Sequence, residues 1–366
     1  MMVPTEVLAR QHYERLTQML AHGRVRTALW TGSLTSRERQ QTQAAVEAGD
    51  VDLLIGTQAL VHGQINFPHL AVVVIDEQHK FGVRQRAQLR ASGIDPHYLV
   101  MTATPIPRTI AMTCYGDLDV SVLRGYPAGR QEVHTYLVED EQRARWWDFF
   151  RKQLQAGRQG YVITPLVTAK EREDLIGVHE SFEALANGEL EAFRLGLIHG
   201  QMSADEKHAT MQAFYDRELQ TLVATSVVEV GIDVPNATVM TIENAERFGI
   251  AQLHQLRGRV GRGSFPGYVA AFATAKSDEA MKRLQAFAAT RDGFELAEID
   301  LATRGPGEFF GTRQHGLPPF RIARLPDDEP TLREAREAAQ TLLADDGQLW
   351  SPAWGAIRKR MLKQYG

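Results

Sequence analysis

The run Ala71-Val72-Val73-Val74-Ile75 leaves no polar face for water. A strand of that kind has to be covered on both sides, which is the situation of strands in a parallel sheet. Val51-Asp52-Leu53-Leu54-Ile55 and Tyr98-Leu99-Val100-Met101 read as strands of the same sort, with helices expected over Glu6 to Leu20 and Ser36 to Ala48. The alternation is that of an α/β fold built on a parallel sheet. Gly125-Tyr126-Pro127-Ala128-Gly129 then reads as a linker, because its glycines and proline punctuate regular structure. The alternation restarts beyond it, with strands expected at 160–164, 195–198, 221–224, 238–242 and 268–272, and helical segments such as Ala204 to Tyr215 between them.

Beyond Thr274 the composition turns helical. Ser277-Asp278-Glu279 has the form of a capped helix start, with Met281, Leu284 and Phe287 as its apolar stripe. Asp292-Gly293 reads as a turn and Phe294 to Ala302 as a second helix, while Thr331-Leu332-Arg333-Glu334 matches a capping box that would start another. The expected domains are residues 1–125, 126–275 and 276–366.

Composition narrows the function classes. No apolar run approaches the roughly 20 residues that span a bilayer. Met1-Met2-Val3-Pro4-Thr5-Glu6 lacks the basic-then-apolar order of a signal peptide, and the single cysteine, Cys114, excludes an internal disulfide and any multi-cysteine metal site. These features fit a soluble cytoplasmic protein. The net charge of −4 does not advertise nucleic-acid binding, but a local basic groove is enough to attract phosphates. Arg257, Arg259 and Arg262 form one basic cluster; Arg358, Lys359, Arg360 and Lys363 form another, which also reads as an ordinary solvated helix face.

Three segments carry chemistry. Asp76-Glu77-Gln78-His79 follows the Ala71–Ile75 strand, at the sheet edge where parallel sheets bind ligands. Paired carboxylates there can hold Mg²⁺ and handle a water molecule, although alone the four residues fit an ordinary polar turn. Thr102-Ala103-Thr104-Pro105 follows the next strand and could sense what occupies the first turn. In Gln255-Leu256-Arg257-Gly258-Arg259-Val260-Gly261-Arg262, a continuous helix would put Gln255, Arg259 and Arg262 on one face. Ile250, Leu253, Leu256 and Val260 would then lie on the opposite, apolar face. Two guanidiniums on such a scaffold could stabilise charge on a transferring phosphoryl group, and a surface basic helix is the alternative. Gly258 and Gly261 weaken the helix by about 1 kcal/mol each.

In order and spacing these segments resemble the motifs of superfamily 2 helicases, whose two RecA-like parallel-sheet domains use ATP and Mg²⁺. The resemblance implies that Asp76 organises Mg²⁺ through water, that Glu77 activates or orients the attacking water, and that His79 couples the domains. Arg259 and Arg262 would be arginine fingers, with Gln255 in the same motif. Pro4-Thr5 and Gly56-Thr57-Gln58 sit where that superfamily contacts the DNA backbone, and a helix starting at Thr5 would offer N–H groups to a phosphate. Thr102 and Thr104 join the DNA-binding or coupling group. Thr225 to Asp233 matches a motif touching both ligands, with Thr225 toward DNA and Glu229, Gly231 and Asp233 toward nucleotide.

The segments Gly293-Phe294-Glu295-Leu296-Ala297, Asp300 to Glu308 and Gly311-Thr312-Arg313-Gln314-His315-Gly316 resemble the translocation motif of the RecG family. A helical hairpin followed by a Gly/Arg-rich loop could act as a lever between a closing cleft and a DNA duplex, with Arg304 and Gln314 as candidate DNA-contact or coupling residues. A helical cap closing the second domain is the bland alternative. The resemblance implies a monomeric ATP-dependent translocase that remodels branched or duplex DNA. A transcription-repair coupling factor, which shares a related motif, and a non-catalytic DNA-binding remnant are the alternatives.

One expected element is absent. The loop Gly-x-x-x-x-Gly-Lys-Ser/Thr cradles ATP phosphates, yet no lysine of this sequence follows a glycine. The family's wedge domain is missing as well, so the expectation is an N-terminally truncated chain with an incomplete first domain. Weakened ATP binding and exposed apolar strand edges would follow.

Overall fold

The structure is a computed structural model that describes residues 1–57, 59–62, 65–76, 96–102, 119–123, 125, 129–165, 171–225, 233–274, 277–304, 328–347 and 349–365. The chain divides into two compact units, residues 1–105 with 125–297, and residues 106–124 with 298–366.

The first sheet comprises β1 (Thr27–Trp30), β2 (Leu53–Gly56), β3 (Val72–Ile75) and β4 (His97–Val100), with β1 parallel to β2 and β3 parallel to β4. Residues 1–3 join the two pairs. Met2 bridges Gly56 on one side and Ile75 on the other, donating its N–H to the Val74 carbonyl at 2.7 Å, while Val3 donates to the Gly56 carbonyl at 2.9 Å. Met2, Trp30, Leu54, Val73 and Ile75 make a small core there. Helix α1 (Glu6–Met19) follows directly, and α2 (Ser36–Glu47) starts at a full capping box between Thr35 and Glu38. A single turn, α3 (Ala59–His62), follows β2. Val72 and Leu99, on one side of β3 and β4, are each 52% exposed.

The second sheet has six parallel strands in the order β5-β10-β9-β6-β8-β7: β5 (Val133–Val138), β6 (Gln159–Ile163), β7 (Leu195–Ile198), β8 (Thr221–Ala224), β9 (Ala237–Ile242) and β10 (Gly267–Phe272). Alternate residues face opposite cores, as the pleat requires. Tyr161 and Ile163 join Phe214, Met240, Leu253 and Phe287 on one side; Val162 joins Trp147, Phe150, Val223 and Val239 on the other. The covering helices include α4 (Arg143–Gln155), α5 (Glu171–Ala186), α6 (Ala204–Tyr215), α7 (Ile250–Arg257) and α8 (Asp278–Ala289). Ser203 and Glu206 form the capping box of α6, and Ser277 caps α8 through the Ala280 N–H.

Three expectations change. The strands β1 and β5 have no counterpart among the expected strands: β1 offers only the three apolar residues Ala28-Leu29-Trp30, too short a run to stand out, and β5 is a partly exposed edge strand with polar residues interspersed. The helix α10 (Glu329–Asp345) begins before Thr331, because Pro330 sits in its first turn with φ already suited to a helix and Asp328 is the cap position. The stretch from Gln255 to Arg262 is not one helix, since α7 stops at Arg257.

The helix α9 (Gly293–Arg304) starts where expected, with the Asp292 carboxylate accepting the Phe294 N–H at 2.8 Å. In the second unit, α10 and α11 (Gly355–Tyr365) are joined through a one-turn 3-10 helix at Pro352–Trp354. Arg358 lies over the Trp350 ring at 4.0 Å. No helix among the described residues is long and apolar enough to cross a membrane.

Candidate nucleotide and DNA site

At the first sheet, three expected residues follow strand ends at the same edge: Thr57 after β2, Asp76 after β3 and Thr102 shortly after β4. The Asp76 N–H bonds to the Met2 carbonyl at 2.9 Å, which fixes the backbone where the strand ends. Its carboxylate meets His12 of α1, with Nε2 to Oδ2 at 3.3 Å. Thr5 is the N-cap of α1 and accepts the Leu8 N–H at 3.4 Å. One helix therefore joins an expected DNA contact to the expected Mg²⁺ organiser. Thr57 is buried, its hydroxyl accepting the Ala59 N–H at 3.4 Å, and Thr102 is exposed.

At the second sheet, the end of α7 builds the arginine turn. Ile250, Leu253, Leu256 and Val260 are all buried, the first three along α7 and Val260 in the turn beyond its end. Gly258 is the C-cap, and Gly261 has φ +69, a conformation that favours glycine. A Cβ on Gly261 would come within 2.9 Å of Val133 Cγ2. Arg259 and Arg262 thus project from a turn. Arg262 donates through Nε to the Gly258 carbonyl at 2.6 Å and lies 3.5 Å from the Asp233 carboxylate. Asp233 and Arg262, 29 positions apart in sequence, are brought together. Beneath them Tyr161 is wholly buried; burial pushes its hydroxyl pKa up, opposed by the charges of Arg259 and Arg262. Gln255 stays half-buried on α7, and Thr225 is fully buried just after β8.

Sequence reasoning misses the part played by several other groups. Arg257 is buried, donating through Nη1 to the Phe287 and Thr290 carbonyls, both at 2.8 Å, and contacting His254 Nδ1 through Nη2 at 2.9 Å. It thereby clamps the end of α8 to α7. A signal for this is present, since residue 257 is four after Leu253 and so lies on the apolar stripe. Burial, then the charges of Arg257 and Arg130, holds the His254 pKa down at about 4. Glu243, following β9, is pushed up by burial, and its bond from Arg143 at 2.6 Å opposes that shift.

Glu77, His79, Gln58, Thr104, Glu229, Gly231 and Gln314 lie outside the described residues. Arg304 is the last residue of α9. Among the described residues no cluster of three or more His, Cys, Asp or Glu could hold a metal.

The two parallel sheets and the helices around them match helicase families along the chain. Residues 1–113 match the family described as DEAD/DEAH box helicase, and residues 149–264 match the helicase conserved C-terminal domain. Residues 290–365 match domain 3, C-terminal, of the ATP-dependent DNA helicase RecG. RecG of Synechocystis sp. is 47% identical over 95% of this chain and 42% of its own length. For RecG of Bacillus subtilis the values are 43%, 99% and 53%. A structure of RecG bound to a three-way DNA junction superposes with TM-score 0.71 at 42% identity, covering 90% of this chain and 43% of the other. Yeast Dbp5 bound to RNA and ADP BeF3, at 16% identity and TM-score 0.56, shares the fold alone. The chain belongs to the RecG family, and it spans about half the length of the curated relatives it matches.

Proposed function

We propose that this chain carries the motor portion of an ATP-dependent, cytoplasmic and monomeric DNA translocase that remodels branched DNA. The supporting observation is RecG-level identity sustained across both sheets and the C-terminal helices, including the RecG-specific match over 290–365. Residues 1–125, 126–275 and 276–366 serve as its working domains.

ATP would supply the phosphoryl group whose hydrolysis drives movement. Asp76 would orient Mg²⁺ through a bound water, and Glu77 would hold the attacking water. Arg262 is steered by Asp233 and the Gly258 carbonyl, so it would meet developing phosphoryl charge at little reorganisation cost. Gln255 and Arg259 belong to the same turn, and Glu229, Gly231 and Asp233 would line the nucleotide. Thr5, Gln58, Thr57, Thr102, Thr104 and Thr225 would follow the DNA backbone. His79, Arg304 and Gln314 would couple the two ligands, and the Arg257 clamp supports a link from the arginine turn to α8.

No lysine in the chain follows a glycine, so the expected ATP turnover of the chain alone is very low. The test measures binding of a three-way DNA junction against salt, and ATP hydrolysis with and without it, beside Glu77→Gln. Salt-sensitive junction binding with turnover no higher than in Glu77→Gln is the expected result. Absence of DNA binding at low salt would overturn the translocase reading. DNA-stimulated turnover lost in Glu77→Gln would keep that reading and refute the expectation of very low activity.

A further inference from the structure

The segment that leads from the linker into β5 is fastened to the arginine turn. Gly129 has φ +85, and the next residue, Arg130, donates through Nη2 to the Gly258 carbonyl at 3.3 Å. That same oxygen accepts Arg262 Nε at 2.6 Å. Two guanidiniums from segments far apart in sequence therefore converge on the carbonyl that ends α7, where a helix C-terminus carries partial negative charge.

Neighbouring contacts hold this segment in register. Glu132 pairs with Arg291 at 2.6 Å and its carbonyl accepts the Gly267 N–H at 2.8 Å. Val133 packs so close to Gly261 that no side chain fits between them. Around His254, one turn before Gly258, stand Arg257 and Arg130, with Asp292 as the acidic group. The Arg130 charge is thus felt inside the turn as well as at its carbonyl.

We propose that Arg130 is a positioning residue: by sharing the Gly258 carbonyl with Arg262 it sets the aim of the arginine turn, making that aim depend on the segment that follows the linker. The inference rests on the reading that Arg259 and Arg262 face the transferring phosphate. A planar guanidinium suits this role better than an ammonium, because its donors hold a fixed direction while a lysine is a mobile point charge. A displacement of residues 129–132 would then shift the Arg262 guanidinium with no change in the helix behind it.

The test needs no nucleotide, so its failure is distinguishable from failure of the translocase reading. Using the full chain, the Arg262 Nε–H signal is followed by NMR, hydrogen exchange is followed over residues 257–266, and the His254 titration is recorded. The variants are Arg130→Ala, Arg130→Lys and Glu132→Ala, the last loosening the same segment without touching Gly258. In Arg130→Ala the Arg262 signal should move, exchange at 259–262 should rise about tenfold for loss of a charged hydrogen bond, and the His254 pKa should rise. Arg130→Lys should restore the His254 pKa but only part of the Arg262 signal. Glu132→Ala keeps the Arg130 bond to Gly258 and should move the Arg262 signal much less than Arg130→Ala does. An unchanged Arg262 signal in Arg130→Ala would overturn the proposal, leaving Arg130 only a charged neighbour. Equal effects of Arg130→Ala and Glu132→Ala would also overturn it, because anchoring of the segment alone would then suffice.

Discussion

The two sheets use the same parallel-strand chemistry and reach different degrees of closure. In the second, every residue of β6, β8 and β9 is buried, and separate cores fill both faces. In the first, Val72 of β3 and Leu99 of β4 are each 52% exposed, and the segment joining the strand pairs is Met1–Val3. The difference shows that an apolar run specifies a strand but not its cover, which other parts of the chain must supply. Chemistry is divided in the same way. The first sheet presents carboxylate and hydroxyl groups at its strand ends, and the second presents a prearranged arginine turn.

Phe150→Ala removes a fully buried ring beside Trp147 and Gly160 and should cost about 3–5 kcal/mol. Hydrogen exchange should show lost protection in β6 and β9, with β3 unaffected. Simultaneous loss in both sheets would show that they unfold as one cooperative unit.

A slightly smaller effect is expected from acid. The His254 pKa lies at about 4 in the folded chain against 6.5 unfolded, so between those values the unfolded chain binds more protons. Stability is therefore complete above about pH 6.5, falls as pH drops through the window, and stops falling below about pH 4. The pKa difference corresponds to a loss on the order of 3 kcal/mol. Urea denaturation at stepped pH should lose this slope in His254→Gln, and a slope that persists would assign it to other groups.

Gly160→Ala tests how tightly the second sheet is packed. The added methyl would sit 2.5 Å from Phe150 Cζ and 2.8 Å from Val239 Cγ1. Overpacking there should cost about 1–3 kcal/mol in denaturant midpoint measurements. An unchanged midpoint would mean that the second core has slack the packing does not show.

The smallest effect compares like with like. Thr35→Ala and Ser203→Ala each break a capping box, one on α2 beside the first sheet and one on α6 beside the second. Each should cost about 1 kcal/mol of local helix stability. A much larger loss at Ser203 would show that capping energies depend on the surrounding packing more than on the box itself.

Many of these elements are legible in the residues themselves. The apolar runs mark eight of the strands within one or two residues, and Ser277 and Asp292 announce α8 and α9 through their side-chain oxygens. The edge strand β5 is harder to see, because Val133-His134-Thr135-Tyr136-Leu137-Val138 mixes polar residues into a partly exposed run. The arginine motif is visible as a pattern, yet its local form differs from the continuous helix that the pattern suggests. Helical spacing alone cannot show that α7 stops at Arg257 and that Gly261 adopts a positive φ against Val133.

The α/β class, the order of the motifs and the family follow from the amino-acid sequence alone, since periodicity, turn chemistry and motif spacing are local along the chain. Which distant groups meet is settled only by tertiary packing. His12 reaches Asp76, Asp233 reaches Arg262, and Arg130 and Arg262 share one carbonyl. Those meetings depend on strand order and helix ends, which are set by the packing of the whole sheet and leave no periodic trace in the residues concerned.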